Sequence, residues 1–263
     1  MKIWSLLNHK GGVGKTTATI NISYTLANLG KRVLVIDMDP QANTSSIFKE
    51  DYESASPSLS DLFANKSFDI NKAISQARIN GTEVDNLFIV HSNSLLEQAL
   101  INIPQRTRRE TILAKSLERL GYDYVLIDCP PSIGEGVLNA VYTSDKVIVP
   151  VELDGFAVNS ISNMFDLITE TKDFDDVAEM LESGVVSFFV NKYDARSTVL
   201  NEKIGEELQV IKPYFIKRTC KSRSDIRKAI DAKMPVALYS PKSDSAEDYQ
   251  VITYALVEGS NHV

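Results

Sequence analysis

A glycine-rich segment near the start of the sequence, residues 9–17 (HKGGVGKTT), holds the residues best suited to chemistry. Glycines allow backbone N–H groups to turn inward around phosphate oxygens, and a helix beginning at the end of the segment adds its partial positive charge. Lys15 is then placed to reach the β- and γ-phosphates of a nucleotide, and the Thr16 hydroxyl to ligate Mg²⁺. The segment therefore predicts the binding and hydrolysis of a nucleoside triphosphate.

The same segment departs from the standard phosphate-loop pattern at its first residue. His9 stands where that pattern has a glycine, and Lys10 adds a second lysine before a tight GGVGKTT core. Because the strand, loop and helix context that the motif needs is present, we expect a phosphate site rather than a chance turn. The predicted nucleotide contacts are Lys10, Gly11, Gly12, Val13, Gly14, Lys15, Thr16 and Thr17.

Three aspartates follow apolar runs that are predicted to be strands. Asp37 and Asp39 come after residues 33–36 and, being two positions apart, point to one face. Asp128 directly follows residues 124–127, and a charge at the end of such a buried run needs a partner. The end of the strand that carries Asp37 and Asp39 is also where the phosphates are expected. The alternative for each is a capping or solvated aspartate.

The elements that must position these residues alternate along the chain, with short β-rich runs separated by stretches of helical spacing. The alternation predicts an α/β fold: a doubly wound, mostly parallel sheet with helices on both faces, whose ligands bind at the carboxyl ends of the strands. The predicted strands are residues 3–7, 33–36, 87–90, 124–127, 147–151, 185–190 and 214–216. The predicted helices are residues 16–29, stopped by Gly30, and 106–120, 158–171, 199–208 and 247–257. Residues 54–60 and 240–245 are predicted loops.

The overall composition is that of an ordinary globular protein. Of the 263 residues, 43% are hydrophobic and 24% are charged, which fits one α/β domain over residues 1–263. The net charge of -7 argues against nucleic acid binding by the whole surface but leaves room for a local basic patch. Cys129 and Cys220 belong to no metal-binding pattern, and neither a signal peptide nor a membrane-spanning stretch is evident, so a cytoplasmic location is expected.

Three motifs in order along the chain resemble one family of ATPases. They are KGGVGKTT at residues 10–17, VLVIDMDPQAN at residues 33–43 and YDYVLIDCPPS at residues 122–132. The first resembles the deviant Walker A motif of the ParA/MinD ATPases, and the other two look most like the ParA branch, which acts in chromosome and plasmid partition. The resemblance covers most of the chain. It implies a P-loop NTPase fold of the deviant Walker A type, with ATP and Mg²⁺ as cofactors.

The resemblance also implies catalytic roles. Lys10 matches the family's intermolecular lysine, which reaches across a homodimer formed on ATP binding to the partner's nucleotide; the alternative is that it serves its own subunit or solvent. A second cation of this kind would neutralise charge during phosphoryl transfer. Asp39 is implied to orient or deprotonate the attacking water. The predicted catalytic residues are therefore Lys10, Lys15 and Asp39.

A magnesium site is implied at the same end of the sheet. Asp128 resembles the Walker B aspartate, which holds Mg²⁺ through water, and the predicted metal-site residues are Thr16, Asp39 and Asp128. Two roles are open for Asp37: it supports the groups that bind Mg²⁺ without contacting the ion itself, or it is structural. Residues 130–134 (PPSIG) are expected to form a switch that senses the γ-phosphate.

A short motif after the strand at residues 185–190 concerns the base. Residues 191–194 (NKYD) match the guanine-recognition motif of GTPases, but residues 128–131 (DCPP) lack the glycine that such GTPases carry after the Walker B strand. ParA-like proteins also place an asparagine here, near adenine. We therefore expect ATP with Asn191 near the base, and keep as the alternative a GTP-hydrolysing switch that recognises guanine through Asn191 and Asp194.

Lysines and arginines dominate residues 212–233, here called the basic segment, where Asp225 and Asp231 are the only acidic residues. Binding to DNA phosphates needs cations but no base-specific geometry, and ParA relatives carry such residues late in the chain. A solvated helix face is the alternative, and it is our expectation for a second basic group at residues 106–109. The predicted DNA-binding residues are Lys217, Arg218, Lys221, Arg223, Arg227 and Lys228.

These features favour a ParA-like partition or positioning ATPase. Its ATP-bound homodimer would bind non-specific DNA on the nucleoid, and a ParB-type adaptor would stimulate hydrolysis. A MinD-like membrane-associated regulator needs a basic amphipathic C-terminal helix, and residues 249–263 contain no lysine or arginine, so no membrane binding is expected. An iron–sulfur reductase is disfavoured by the positions of the two cysteines, and a metabolic ligase of the same superfamily remains an alternative.

Overall fold

One mixed sheet runs through the computed structural model, which describes residues 1–54 and 57–259, with the backbone alone at residues 198–201. Its strands are β1 (Lys2–Leu6), β2 (Val33–Asp37), β3 (Ile74–Ile79), β4 (Thr82–Val90), β5 (Tyr124–Asp128), β6 (Lys146–Val151) and β7 (Val186–Val190). Their order is β3-β4-β2-β5-β1-β6-β7. β3 is antiparallel to β4, and the other neighbouring pairs are parallel. The predicted fold class is confirmed.

Helices cover both faces of the sheet. They are α1 (Lys15–Asn28), α2 (Ser45–Phe48), α3 (Leu59–Ala64), α4 (Leu95–Ile101), α5 (Ile112–Leu117), α6 (Glu135–Thr143), α7 (Ala157–Lys172), α8 (Val177–Glu182), α9 (Thr198–Glu207), α10 (Ser224–Asp231), α11 (Val236–Tyr239) and α12 (Asp244–Glu258). In the ranges described, none of them is both long and apolar enough to cross a bilayer.

The two hydrophobic cores follow from the alternation of side chains along each strand. In β2, Val33 and Val35 belong to a core that also contains residues of α1 and α12. Leu34 and Ile36 point the other way, into a core shared with α5, α6 and α7. All four side chains are fully buried. A strand that is covered on both faces must be apolar throughout, which explains the continuous hydrophobic run in the sequence.

The helix after the phosphate loop ends as predicted. Gly30 has a φ of 73°, and its N–H donates to the Ala27 carbonyl at 2.9 Å. The N–H of Lys31 donates to the Leu26 carbonyl at 3.1 Å. This pair of bonds satisfies carbonyls that the end of a helix would otherwise leave unpaired, and the left-handed residue that it needs is normally glycine.

Two predicted elements are wrong. Residues 214–216 are not a strand, because Lys212–Tyr214 form a 3-10 turn that begins around Pro213, and Phe215 makes only an isolated bridge to Phe188. Residues 106–120 are not one helix either. Arg108 has a φ of 57°, which breaks the helix before a 3-10 turn at Arg109–Thr111 and the short α5. The other predicted strands and helices are present, with ends shifted by a few residues.

The edge strand β3 was missed by the sequence reasoning. It forms a hairpin with β4 through Asn80 and Gly81, whose φ values are 48° and 78°. An Asn-Gly pair between two apolar-rich runs is the usual signal for such a two-residue turn. The predicted loops are also partly helical, because α3 begins at Leu59 and α12 at Asp244; residues 55–56 and 260–263 lie outside the described residues.

Candidate nucleotide-binding site

The carboxyl ends of three adjacent strands meet at the phosphate loop. β5 lies between β1 and β2, and Asp128 is in register with both Leu6 and Asp37. A cavity of about 600 Å³ opens at this edge. Its walls bring together the phosphate loop, the loop after β2 and the segment after β5, including Gly12, Lys15, Thr16, Asp39, Pro131 and Lys192. Ligands of open α/β sheets bind at such an edge.

The backbone of the phosphate loop is shaped by two glycines. Gly12 and Gly14 have φ values of 76° and 93°, which side chains disfavour. Gly14 occupies the N-cap position of α1, and no side chain caps this helix start. The N–H groups of the first turn and the positive end of the helix dipole are therefore suited to hold an anion.

Lys15 is the cation of this site. Its side chain is nearly buried, and its Nζ donates to the carbonyl oxygens of Asn8 at 2.8 Å and Lys10 at 3.2 Å. Burial lowers the pKa of Lys15, and the nearby carboxylate of Asp128 opposes that shift. The ammonium group is thus held by main-chain oxygens at the wall of the cavity, where a phosphate oxygen would be a stronger acceptor.

A set of oxygen atoms suited to Mg²⁺ surrounds Asp128. Its Oδ2 accepts hydrogen bonds from Thr16 Oγ1 and Thr44 Oγ1, both at 2.7 Å, and its side chain is buried. Burial raises the pKa of Asp128, and the two hydroxyl donors lower it. Mg²⁺ binds few protein oxygens and keeps waters and phosphate oxygens as its other ligands. The donor set therefore fits Mg²⁺, although nothing in the sequence patterns singled out Thr44.

Asp37 holds the loop that carries Asp39. It is fully buried and accepts hydrogen bonds from Ser45 N at 2.8 Å, Ser45 Oγ at 2.7 Å and Asp39 N at 3.1 Å. Burial, and then the charge of Asp128, raise the pKa of this carboxyl. Of its two predicted alternatives, these contacts favour the structural role.

Asp39 lies half-buried on the cavity wall, where its Oδ1 accepts from Gln41 N at 2.9 Å. The same cavity is lined by Lys15 and Thr16, so the carboxylate borders the space that the phosphates would occupy. A carboxylate in this position fits the predicted roles of orienting a water molecule and helping to hold a metal ion. Both roles remain predictions.

The amino-acid sequence matches a known family. A family model described as an AAA domain matches residues 1–181. The sporulation initiation inhibitor protein Soj of Bacillus subtilis is 32% identical over 255 residues, which is 94% of this chain and 95% of Soj. The chromosome partitioning protein ParA of Caulobacter vibrioides is 31% identical over 214 residues, which is 80% of this chain and 76% of that protein. The chain belongs to the ParA-type partition ATPases.

A solved structure shares the fold of this ParA-type chain. Cobyrinic acid a,c-diamide synthase from Mycobacterium smegmatis, with a bound ATP analog and magnesium, has a TM-score of 0.78 and 22% identity. The match covers 98% of this chain and 95% of that enzyme. At this identity the likeness concerns the fold alone.

In this ParA-type chain, Lys10 is paired with acidic residues of its own subunit. Its Nζ contacts Asp154 Oδ2 and lies 3.6 Å from Glu152 Oε2. Both acidic residues follow β6, and the sequence reasoning missed them. The predicted intermolecular role of Lys10 remains a prediction, and it requires this ion pair to separate.

The predicted base-recognition residues are engaged elsewhere. Asn191 Nδ2 donates to the carbonyl oxygen of Val13 at 2.7 Å, and the side chain is buried. Asp194 forms a two-bond pair with Arg196, from Nε at 2.9 Å and from Nη2 at 2.8 Å. This pairing lowers the pKa of Asp194 to about 2. Asn191 borders a pocket beside the phosphate loop, so contact with a base there remains a prediction.

Two of the predicted DNA-binding residues are bound by α12. Arg218 donates to Asp248 at 2.7 Å and lies 3.4 Å from Glu247. Arg223 donates to Asp248 and lies 3.2 Å from Asp244. The Asp248 side chain is only 3% exposed, so both arginines compensate a buried charge.

The other four predicted DNA-binding residues are exposed. Lys217 and Lys221 lie before α10, and Arg227 and Lys228 lie on that helix. Together with Lys212 and Lys233, they are the cations of the basic segment that face solvent. The prediction of DNA binding is therefore best assigned to these residues and remains a prediction.

Proposed function

We propose that this chain is the ATP-driven component of a partition or positioning system, and that it binds and hydrolyses ATP with Mg²⁺. The observation that carries the proposal is the meeting of Lys15, Thr16 and Asp39 on one cavity wall, with Asp128 bonded to Thr16. Similarity to Soj and ParA supports the cellular role. The ATP analog and magnesium bound to the enzyme of similar fold support the choice of ligands.

In the proposed reaction, the N–H groups of the phosphate loop and the Lys15 ammonium bind the phosphates. Asp39 orients the attacking water and accepts its proton while the water oxygen bonds to the γ-phosphorus and the bond to the ADP oxygen breaks. Thr16 and Asp128 would hold Mg²⁺, which supplies positive charge to the phosphate oxygens. Asp37 keeps the loop of Asp39 in place through Ser45.

Dimerisation on ATP binding would allow Lys10 to contact the nucleotide of the partner subunit. The Lys10 ammonium is partly exposed beside the cavity loop, and its own Asp154 and Glu152 hold it there. For Lys10 to reach the nucleotide of a partner subunit, phosphate oxygens must replace these carboxylates as its acceptors. ATP binding and the intramolecular ion pair therefore compete for the same cation.

We assign DNA binding to the exposed cations Lys217, Lys221, Arg227 and Lys228. A single subunit offers few phosphate contacts, and a dimer would present two such patches on one molecule, which raises affinity through effective concentration. A ParB-type adaptor that stimulates hydrolysis would then separate the dimer and release it from the nucleoid. The chain would thereby cycle between DNA-bound and free states.

The alternatives receive less support from the structure. Guanine recognition needs the Asp194 carboxylate, and Arg196 pairs with both of its oxygens. A membrane-binding C-terminal helix needs basic residues, and α12 contains none. ATP and the partition role are therefore preferred over GTP and the membrane.

The proposal is tested by measuring DNA mobility shifts with ATP, with ADP and without nucleotide, at two salt concentrations. We expect binding with ATP that is insensitive to DNA sequence and weakens steeply with salt. Lys15→Ala is the matched control and should bind no better with ATP than without it. Equal DNA binding in all three nucleotide conditions would contradict the proposed cycle. Phosphate release should require Mg²⁺ and prefer ATP to GTP.

A further inference from the structure

The segment after β7 touches the outside of the phosphate loop, a contact that the proposed mechanism does not use. Asn191 Nδ2 donates to the Val13 carbonyl at 2.7 Å from a buried position. The approach is close, since a Cβ on Gly14 would lie 2.3 Å from that nitrogen. Gly14 is therefore required by its neighbour as well as by its φ of 93°.

Lys192 makes a matching contact one residue earlier in the loop. Its Nζ donates to the carbonyl oxygen of Gly12. Its φ of 54° lies in the left-handed region, which a lysine seldom adopts. The residue borders both the phosphate cavity and the adjoining pocket of about 430 Å³ that Asn191 also borders. A third lysine, besides Lys10 and Lys15, thus lies at the nucleotide site.

The geometry of the peptide bond turns these two contacts into a constraint on the loop. In a trans peptide the C=O and N–H bonds point in opposite directions. The Gly12 carbonyl shares its peptide with the N–H of Val13, and the Val13 carbonyl shares its peptide with the N–H of Gly14. Donors that hold both carbonyls therefore fix the directions of two consecutive N–H groups. Consecutive N–H groups with fixed directions are what an anion-binding loop needs.

We propose that Asn191 and Lys192 form a brace that presets the phosphate loop, and that Lys192 is a positioning residue for the nucleotide phosphates. The proposal rests on the proposed binding of ATP and assigns these two residues to the phosphates instead of the base. Asp194, the last residue of the same four-residue motif, pairs with Arg196 and takes no part in the brace.

The test compares four chains by titration with fluorescent ATP: the native chain, Lys192→Met, Lys192→Gly and Lys192→Arg. Lys192→Met should weaken ATP and ADP binding about five- to tenfold, the loss expected for one charged hydrogen bond at a partly solvated site. Competition by inorganic pyrophosphate, which has no base, should weaken by the same factor. The ratio of ATP to GTP affinity should stay unchanged, and Lys192→Arg should restore most of the binding.

Two controls separate the ammonium group from other effects. Lys192→Gly relaxes the left-handed backbone but lacks the ammonium, so it should bind ATP as weakly as Lys192→Met. Lys31→Met removes an exposed lysine beyond the far end of α1 and should bind ATP like the native chain.

Specific outcomes would overturn the brace. The first is a Lys192→Met variant whose preference between ATP and GTP changes while its competition by pyrophosphate does not. The second is a Lys192→Met variant that binds ATP with native affinity. The third is a Lys192→Gly variant that binds ATP more tightly than the native chain. A native chain that binds neither ATP nor pyrophosphate would overturn the proposed function itself. The native titration therefore distinguishes the two failures.

Discussion

The phosphate loop and the basic segment both concentrate positive charge, and the structure uses that charge in different ways. At the loop, Lys15 is held by main-chain oxygens beside a cavity that also contains Asp39. In the basic segment, Arg218 and Arg223 are held by the buried carboxylate of Asp248. A motif that fixes the backbone also fixes where its side chains lie, whereas a cluster of like charges leaves open which of them face solvent.

The largest effect is expected from Lys15→Ala, which tests the first half of this comparison. Loss of the main phosphate cation should weaken ATP binding about 100-fold or more and abolish measurable hydrolysis. Nucleotide titration and phosphate release measure the two effects. Lys31→Ala, at the other end of α1, is the matched control. Native affinity and turnover in Lys15→Ala would contradict the assignment of the phosphate loop.

Asp39→Ala should separate binding from chemistry at the same site. Because the proposed reaction uses the side chain to activate the attacking water, ATP affinity should stay close to native while turnover falls about 10²- to 10⁴-fold. Gel filtration with ATP should then show an accumulated dimer. Intact hydrolysis, without additional dimer, would show that another group activates the water.

Asp248→Asn tests whether the arginines of the basic segment are structural. Removing this buried charge leaves Arg218 and Arg223 without their shared partner, and because both are partly exposed we expect a loss of about 2–3 kcal/mol in unfolding free energy. Urea denaturation measures it. Glu247→Gln, which changes a side chain that is 61% exposed, should cost less than about 0.5 kcal/mol. Equal losses of unfolding free energy in the two variants would contradict a structural role for the pairing of Asp248 with Arg218 and Arg223.

The smallest effect sharpens the comparison within the basic segment. In the presence of ATP, a Lys217→Gln and Lys221→Gln double variant should make the slope of log K against log salt for DNA shallower by about 4, because the dimer loses two cations in each subunit and each neutralised phosphate contributes about 0.9 to that slope. An Arg218→Gln and Arg223→Gln double variant should lower stability and leave the slope nearly unchanged. If the arginine variant changed the slope more than the lysine variant did, DNA binding would be assigned to Arg218 and Arg223 instead.

Much of the nucleotide site could be predicted from the sequence, because its signals are local. The loop glycines, the helix that ends at Gly30 and the aspartates at the ends of β2 and β5 each follow from a few neighbouring residues. The hairpin of β3 and β4 also has a local signal in the sequence, the Asn80 and Gly81 pair at its turn. Local patterns fix backbone conformation, and parallel strands then bring their carboxyl ends to one edge.

The partners of these residues were decided only by the tertiary structure. Thr44 donates a hydrogen bond to Asp128, and Asn191 donates one to the Val13 carbonyl. Asp248 accepts hydrogen bonds from both Arg218 and Arg223. The partners in each of these contacts lie far apart in the sequence. Nothing near Asp248 in the sequence indicates that it will be buried with Arg218, since neither residue has a local motif. The sequence by itself determined which backbone would bind phosphate. Packing of α12 and of the segment after β7 decided which polar groups are used inside the protein and which remain available to a ligand.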